Sequence, residues 1–198
     1  MGGGLDDMSD QLLAARDSAG MGGWSATRYL YDAGQASVAR EDYNAAVGRG
    51  GWRPPKVLNG GPAAANIAYL AARFEDRPQA EHLLAVLAPY EGRFFQGITT
   101  YHVTEHYRGL LAATCGRFDE AAGLLARAVD RQDEVGAPLL AAESRLEWAR
   151  LALLGGPAGP EGPEGPDPRG LVDAALATFE RCGARALAVR AREVRARL

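Results

Sequence analysis

Residues 102 to 137, HVTEHYRGLLAATCGRFDEAAGLLARAVDRQDEVGA, constrain this chain more than any other stretch. Leu110 and Leu111 before Gly116, and Leu124, Leu125 and Val129 after it, recur at the spacing that gathers apolar side chains on one helical face. Gly116 divides the stretch into two amphipathic helices, because glycine adopts the left-handed backbone that ends a helix at no steric cost. Gly109, Ala121 and Ala128 are small where two antiparallel helices need close backbone approach. The reading is a helical hairpin, and its neighbours read as further copies, caps or gaps.

Upstream, Pro62 suits a first helical turn and opens a small-residue-rich helix from Ala63 to Arg73. Its partner starts near Pro78, runs through Leu83, Leu84 and Leu87, and stops at Pro89. Between this pair and the central one, Tyr90, Phe94 and Phe95 fall in a bulky connector over residues 89 to 97. Downstream, Pro138 to Leu154 and then residues 171 to 184 make a third pair. Ala149 follows Gly109 by 40 residues, whereas Leu171 follows Leu124 by 47, so seven residues are inserted in the third turn. They belong to the Gly-Pro-Glu-rich run over 155–168, read as a disordered loop because lengthening a surface loop costs little. Asp167 and Pro168 restart the helix, and Arg185 to Leu198 forms a capping helix with Leu187, Ala191 and Val194 on one face.

The N-terminal part is less regular. Residues 1 to 24 are Gly-rich around a short helical piece, Asp10 to Arg16, and read as a flexible segment. Ser25 caps a helix through Tyr31, and Ala36 to Val47 forms a second, so a degenerate first pair opens a repeat domain spanning 25–198. Residues 48 to 61, with paired prolines and several glycines, break helix and connect.

Composition narrows the function classes. With 198 residues, 47% hydrophobic and 24% charged, the chain can bury a core without disulfides. A net charge of −3 argues against a broad nucleic-acid-binding field, and the basic terminal helix lacks aromatic residues for base stacking. No long apolar run and no secretory leader are seen, and Cys115 and Cys182 lack metal-ligand spacing, which together suit a reducing cytoplasm. Lys56 is the single lysine among 22 basic residues, a bias that with abundant alanine suggests a high-GC bacterial genome.

Chemistry-bearing patterns are few. His102-Val-Thr-Glu105-His106 matches H-x-x-E-H, in which two histidines four apart on a helix share zinc and the glutamate acts as general base, with Glu180 as a distant third ligand. That gives the alternative reading, a zinc-dependent hydrolase. No phosphate-binding loop precedes Lys56, no nucleophile elbow surrounds Ser18, Ser25, Ser37 or Ser144, and His82 falls on a solvated helix face. The leading expectation therefore contains no catalytic residues, metal or cofactor.

The central hairpin resembles a tetratricopeptide (TPR) pair of about 34 residues, its small, turn-Gly, aromatic, Ala and Ala positions falling on Gly109, Gly116, Phe118, Ala121 and Ala128. Glu105 stands at the early aromatic position. In the preceding copy, Ala68 and Ala80 fit while Glu75 replaces the turn glycine and Leu87 the last alanine. More widely, LLAVLAPYEGRFF, YRGLLAATCGRFDEAAGLLARAV, SRLEWARLALL and LVDAALATFERCGA resemble the C-terminal repeat region of large bacterial LuxR-type regulators that carry an ATPase module. The ATPase and DNA-binding parts of that family have no counterpart here.

The resemblance implies an all-α, TPR-like solenoid of about three antiparallel helical hairpins with a C-terminal capping helix. It further implies a non-catalytic protein or peptide interaction module, the sensor or scaffold arm of a regulator, with a small-molecule sensor as a third possibility. In that frame the concave wall carries Tyr69, Arg73, Val103, His106, Leu110, Glu143, Leu146 and Arg150. Tyr69, Arg73, His106, Glu143 and Arg150 are the expected binding residues. Self-association is compatible with such a module; a membrane is not expected.

Overall fold

The computed structural model describes residues 23–48, 60–96, 100–155 and 167–198. The readings of the N-terminal segment to residue 22, of most of the 48–61 connector and of the Gly-Pro-Glu run lie outside the described residues. In chain order the elements are α1 (Gly23–Asp32), α2 (Ala36–Val47), α3 (Gly60–Arg73), α4 (Arg77–Leu87), a 3-10 turn (Ala88–Tyr90), β1 (Phe94–Gln96), β2 (Thr100–Val103), α5 (Thr104–Thr114), α6 (Phe118–Glu134), α7 (Pro138–Leu153), α8 (Pro168–Arg181) and α9 (Arg185–Arg197). The fold is mostly helical.

Five of the helix ends are closed by one device. Gly34, Glu75, Gly116, Gly136 and Gly183 have φ of 86, 55, 75, 68 and 69°. In each turn the next backbone N–H reaches back five residues: Gln35 to Leu30, Asp76 to Ala71, Arg117 to Ala112, Ala137 to Gln132 and Ala184 to Phe179. These 6→1 bonds satisfy carbonyls that a helix end leaves orphaned and reverse the chain in three residues. Helix starts are capped where the sequence supplies an aspartate: Asp76 accepts from Gln79 N at 3.1 Å, and Asp167 from Arg169 N and Gly170 N at 3.1 and 3.2 Å. Asp76 also accepts a 2.8 Å bond from Tyr43 Oη, which ties α2 to the α3–α4 turn.

Packing follows from these reversals. Helices pair as α1 with α2, α3 with α4, α5 with α6 and α7 with α8, while α1, α3, α5, α7 and α9 also contact one another in succession. The α5–α6 contact depends on Gly109, where a Cβ would stand 2.7 Å from Leu125 Cγ. One hydrophobic core spans α1 to α6 and takes Trp148 and Leu151 from α7; a second joins Ala142, Leu146 and Ala149 of α7 to Val172, Phe179, Ala191 and Val194. Helix α7 serves both cores because it is apolar on two sides, which a helix at the rim of a fold could not be.

Local expectations are corrected. Within the connector, Phe94–Gln96 is the first strand of a two-stranded antiparallel pair that joins Phe94 to Val103, a small sheet in an otherwise all-α fold. Consequently His102 lies on β2 and the helix starts at Thr104. Thr100, Tyr101 and Val103 are β-branched or aromatic, and that local preference prevails over the helical spacing of the two histidines. Of the three aromatics placed in the connector, Phe95 is buried against Tyr107, with ring centroids 6.0 Å apart, while Tyr90 is 40% exposed. The start of α1 is at Gly23, ahead of the expected cap at Ser25.

Glu75 is the one non-glycine residue with positive φ among the described residues, and it is exposed. Left-handed backbone costs a residue with a Cβ about 1–2 kcal/mol, part of which glycine returns through the entropy of the unfolded chain. Glu75→Gly is expected to stabilise the protein by about 0.5 kcal/mol and Gly116→Ala to destabilise it by about 1 kcal/mol, read from urea unfolding. Because open space surrounds a Cβ at Gly116, backbone strain alone would account for that loss.

Candidate functional site

Among the described residues, buried charge gathers where α3, α7 and α9 meet, around Arg73, Glu147 and Arg190. Tyr69 and Arg73 stand one helical turn apart on α3; Arg73 reaches Glu147 of α7, which also meets Arg150 of α7 and Arg190 of α9, while Arg28 of α1 lies over the Tyr69 ring and Ser144 of α7 meets His106 of α5.

Glu147 is the hub. Its Oε1 accepts from Arg73 Nη2 and Arg190 Nη2, each at 2.6 Å, and its Oε2 from Arg150 Nη1 at 2.9 Å and Arg73 Nη1 at 3.3 Å. Burial alone would raise its pKa; Arg73, Arg190 and Arg150 outweigh that and hold the carboxyl well below its ordinary value. Arg73 is pushed up reciprocally, against the burial that opposes its charge. Beside the hub, Tyr69 Oη donates to Asp32 Oδ1 at 2.5 Å, and the guanidiniums of Arg28 and Arg73 lie 4.4 and 4.7 Å from the centre of its ring.

The second cluster is built on stacked imidazoles. His102 and His106 lie 3.6 Å apart with planes 9° from parallel, and Tyr107 stands edge-on to both. Gln132 spans His102 Nδ1 at 3.0 Å and Ser144 Oγ at 2.8 Å; the carbonyls of Leu140 and Ala128, 3.0 and 3.1 Å away, place its amide nitrogen on the serine side. Ser144 Oγ in turn meets His106 Nδ1 at 2.8 Å. Burial lowers the His106 pKa well below the ordinary value, and the neighbouring His102 adds to this. Glu143, whose Oε2 is 3.5 Å from His102 Nε2, is held below its ordinary value: burial works against ionisation, but the bond from His102 and the charges of Arg28 and Arg190 prevail.

The H-x-x-E-H residues thus come together without a shared coordination point. An imidazole binds metal in its ring plane, and two parallel planes 3.6 Å apart have no common point for one ion. Glu105 turns away to accept from Gly92 N at 2.8 Å, and Glu180 pairs with Arg192. Among the described residues no group of three His, Cys, Asp or Glu side chains is placed to hold a metal.

The five expected binding residues belong to these two neighbouring clusters, yet Tyr69 Oη, Arg73 Nη1 and Nη2 and His106 Nδ1 are already bonded to partners within the protein. Glu143 and Arg150 keep 22% and 34% of their side chains exposed. Glu147, Gln132, Ser144, Arg28 and Arg190 were not anticipated. Two signals existed: Gln132 follows Ala128 on the apolar stripe of α6, and Glu147 stands four residues after Glu143. A cleft of about 440 Å³ opens beside the hub, lined by the charged Arg73, Glu75, Arg77, Glu147 and Arg150 and by the apolar Leu110, Ala113, Leu151 and Leu154.

Removing the hub charge leaves three guanidiniums without their common partner. Glu147→Gln is expected to cost about 3 kcal/mol in urea unfolding at neutral pH, the scale for breaking a buried ion pair. His106 gives a distinct pH response. In the unfolded chain a histidine takes up a proton near about pH 6.5, which the folded state refuses, so stability is lost as pH falls through that value toward the lower folded pKa. Glu143 and Glu147, whose pKa values are lowered, add their loss only below about pH 4.3. The urea midpoint is expected to drop between pH 7.5 and 5, and His106→Gln to reduce that drop. No family model matches the chain, and neither does any curated protein or solved structure.

Proposed function

We propose that the chain is a non-catalytic binding module, a TPR-like solenoid capped by α9, which receives a short peptide segment of a protein partner on its inner face. The carrying observation is the cleft, whose lining brings Leu110, Leu151 and Leu154 together with Arg73, Glu147 and Arg150. Apolar and charged contacts within one groove are what recognise an amphipathic segment, the apolar part giving affinity and the charges register. Its size falls within the range of ligand pockets, about 300–1,000 Å³.

The solenoid reading draws support from the identical reversals and from the succession α1, α3, α5, α7, α9, in which the first helix of each hairpin touches that of the next. Among the described residues four helix pairs precede α9, one more than the regular copies in the sequence suggest, because α1 and α2 pack together as a pair. A cytoplasmic sensor or scaffold arm of a bacterial regulator is the biological setting we assign, on the sequence resemblance of the repeats.

Selection from a displayed random peptide library tests the module. Enriched peptides are expected to bind the wild type and to weaken on the order of tenfold against Leu154→Glu, whose side chain is 54% exposed at the cleft mouth. Failure to enrich any sequence, or equal binding to the variant, would count against the cleft.

A further inference from the structure

The charges around the cleft do not balance. Arg73, Arg77 and Arg150 line it against Glu75 and Glu147, and the partners just outside, Arg190 on Glu147 and Glu81 on Arg77, leave one positive charge in excess. The excess is local, since the whole chain carries a net charge of −3. Glu147 cannot relieve it. Both its oxygens are shared among three guanidiniums, and with a side chain only 8% exposed it is fixed in place.

Arg150 is the member of the cluster positioned to meet a ligand. A guanidinium carries five N–H donors; Arg150 gives Nη1 to Glu147 and keeps 34% of its side chain exposed on the cleft wall. Its bond to Glu147 also fixes the guanidinium before a ligand arrives, so less rotamer freedom is lost on binding. Leu110 and Leu154 belong to the same wall.

We infer that the cleft selects an acidic peptide, in which a side-chain carboxylate pairs with Arg150 while an adjacent apolar side chain lies against Leu110 and Leu154. The inference rests on the peptide-binding reading above and specifies its ligand. A negative group is complementary to the excess charge, and charge-assisted pairing to a guanidinium is worth about twice a neutral hydrogen bond. A basic or neutral segment would leave the excess uncompensated.

Two fluorescein-labelled peptide pools, acetylated and amidated, separate the possibilities. Both have randomised neighbours; one fixes a Leu-Glu pair and the other Leu-Gln. Titrated by anisotropy against the full chain, the Leu-Glu pool is expected to bind tighter by on the order of tenfold, a preference that shrinks as NaCl is raised. Arg150→Gln should abolish the preference, read as the ratio of the two affinities, and Arg150→Lys should restore part of it. Leu154→Glu should weaken the Leu-Glu pool more than the Leu-Gln pool, which provides an independent reading if Arg150→Gln proves unstable. Equal binding of the two pools to the wild type would overturn the inference while leaving a binding module. Binding of neither pool would overturn both.

Discussion

A carboxylate inside a protein must be compensated, and Glu147 is compensated three times over, by Arg73 from α3, Arg150 from α7 itself and Arg190 from α9. Much of the interior arrangement follows from that requirement. Arg73 must extend across the inner face, past α5, to reach α7. The terminal helix must present Arg190 inward. Tyr69 then lies where it can hold Asp32 by its hydroxyl and two guanidiniums on its ring. Helices far apart in sequence are linked by side chains rather than by extensive backbone contact.

Around this polar interior the apolar packing is local and regular. Five turns among the described residues each spend one left-handed residue to reverse the chain, so the helices they join bury their stripes against each other. The β-hairpin is the departure. Phe94 pairs with Val103, Thr104 N donates to Arg93 O at 2.9 Å, and Glu105 accepts from Gly92, so the beginning of α5 is held by the segment that precedes it. That anchoring sets His102 and His106 face to face across the strand–helix junction.

The sequence makes the helices legible because their signals are short-range. Gly116, Pro138, Asp167 and Pro168 mark turns and starts that the structure keeps, and even the anomalous Glu75 is visible as a missing glycine. The strand pair was hidden because His102 and His106 are four apart, a helical spacing, whereas the pairing of Phe94 with Val103 is a long-range fact that local periodicity does not encode. For the site, the sequence carries no sign of the bonding among its residues. Tyr69, Arg73 and Glu143 were placed on one wall, yet only three dimensions reveal that Arg190 arrives from the far end of the chain to share Glu147 with Arg73. A helix whose arginines are mostly solvated offers no sign of which one turns inward.

The double duty of α7 has a mechanical corollary. Stacked helices that each touch only their neighbours can be peeled apart one pair at a time, whereas α7 contributes Trp148 and Leu151 to one core, Leu146 and Ala149 to the other, and Glu147 to the seam between them. Under tension from its two ends, such a chain should yield in one abrupt rupture with few intermediate extensions, since the rod that must let go is embedded in both halves at once.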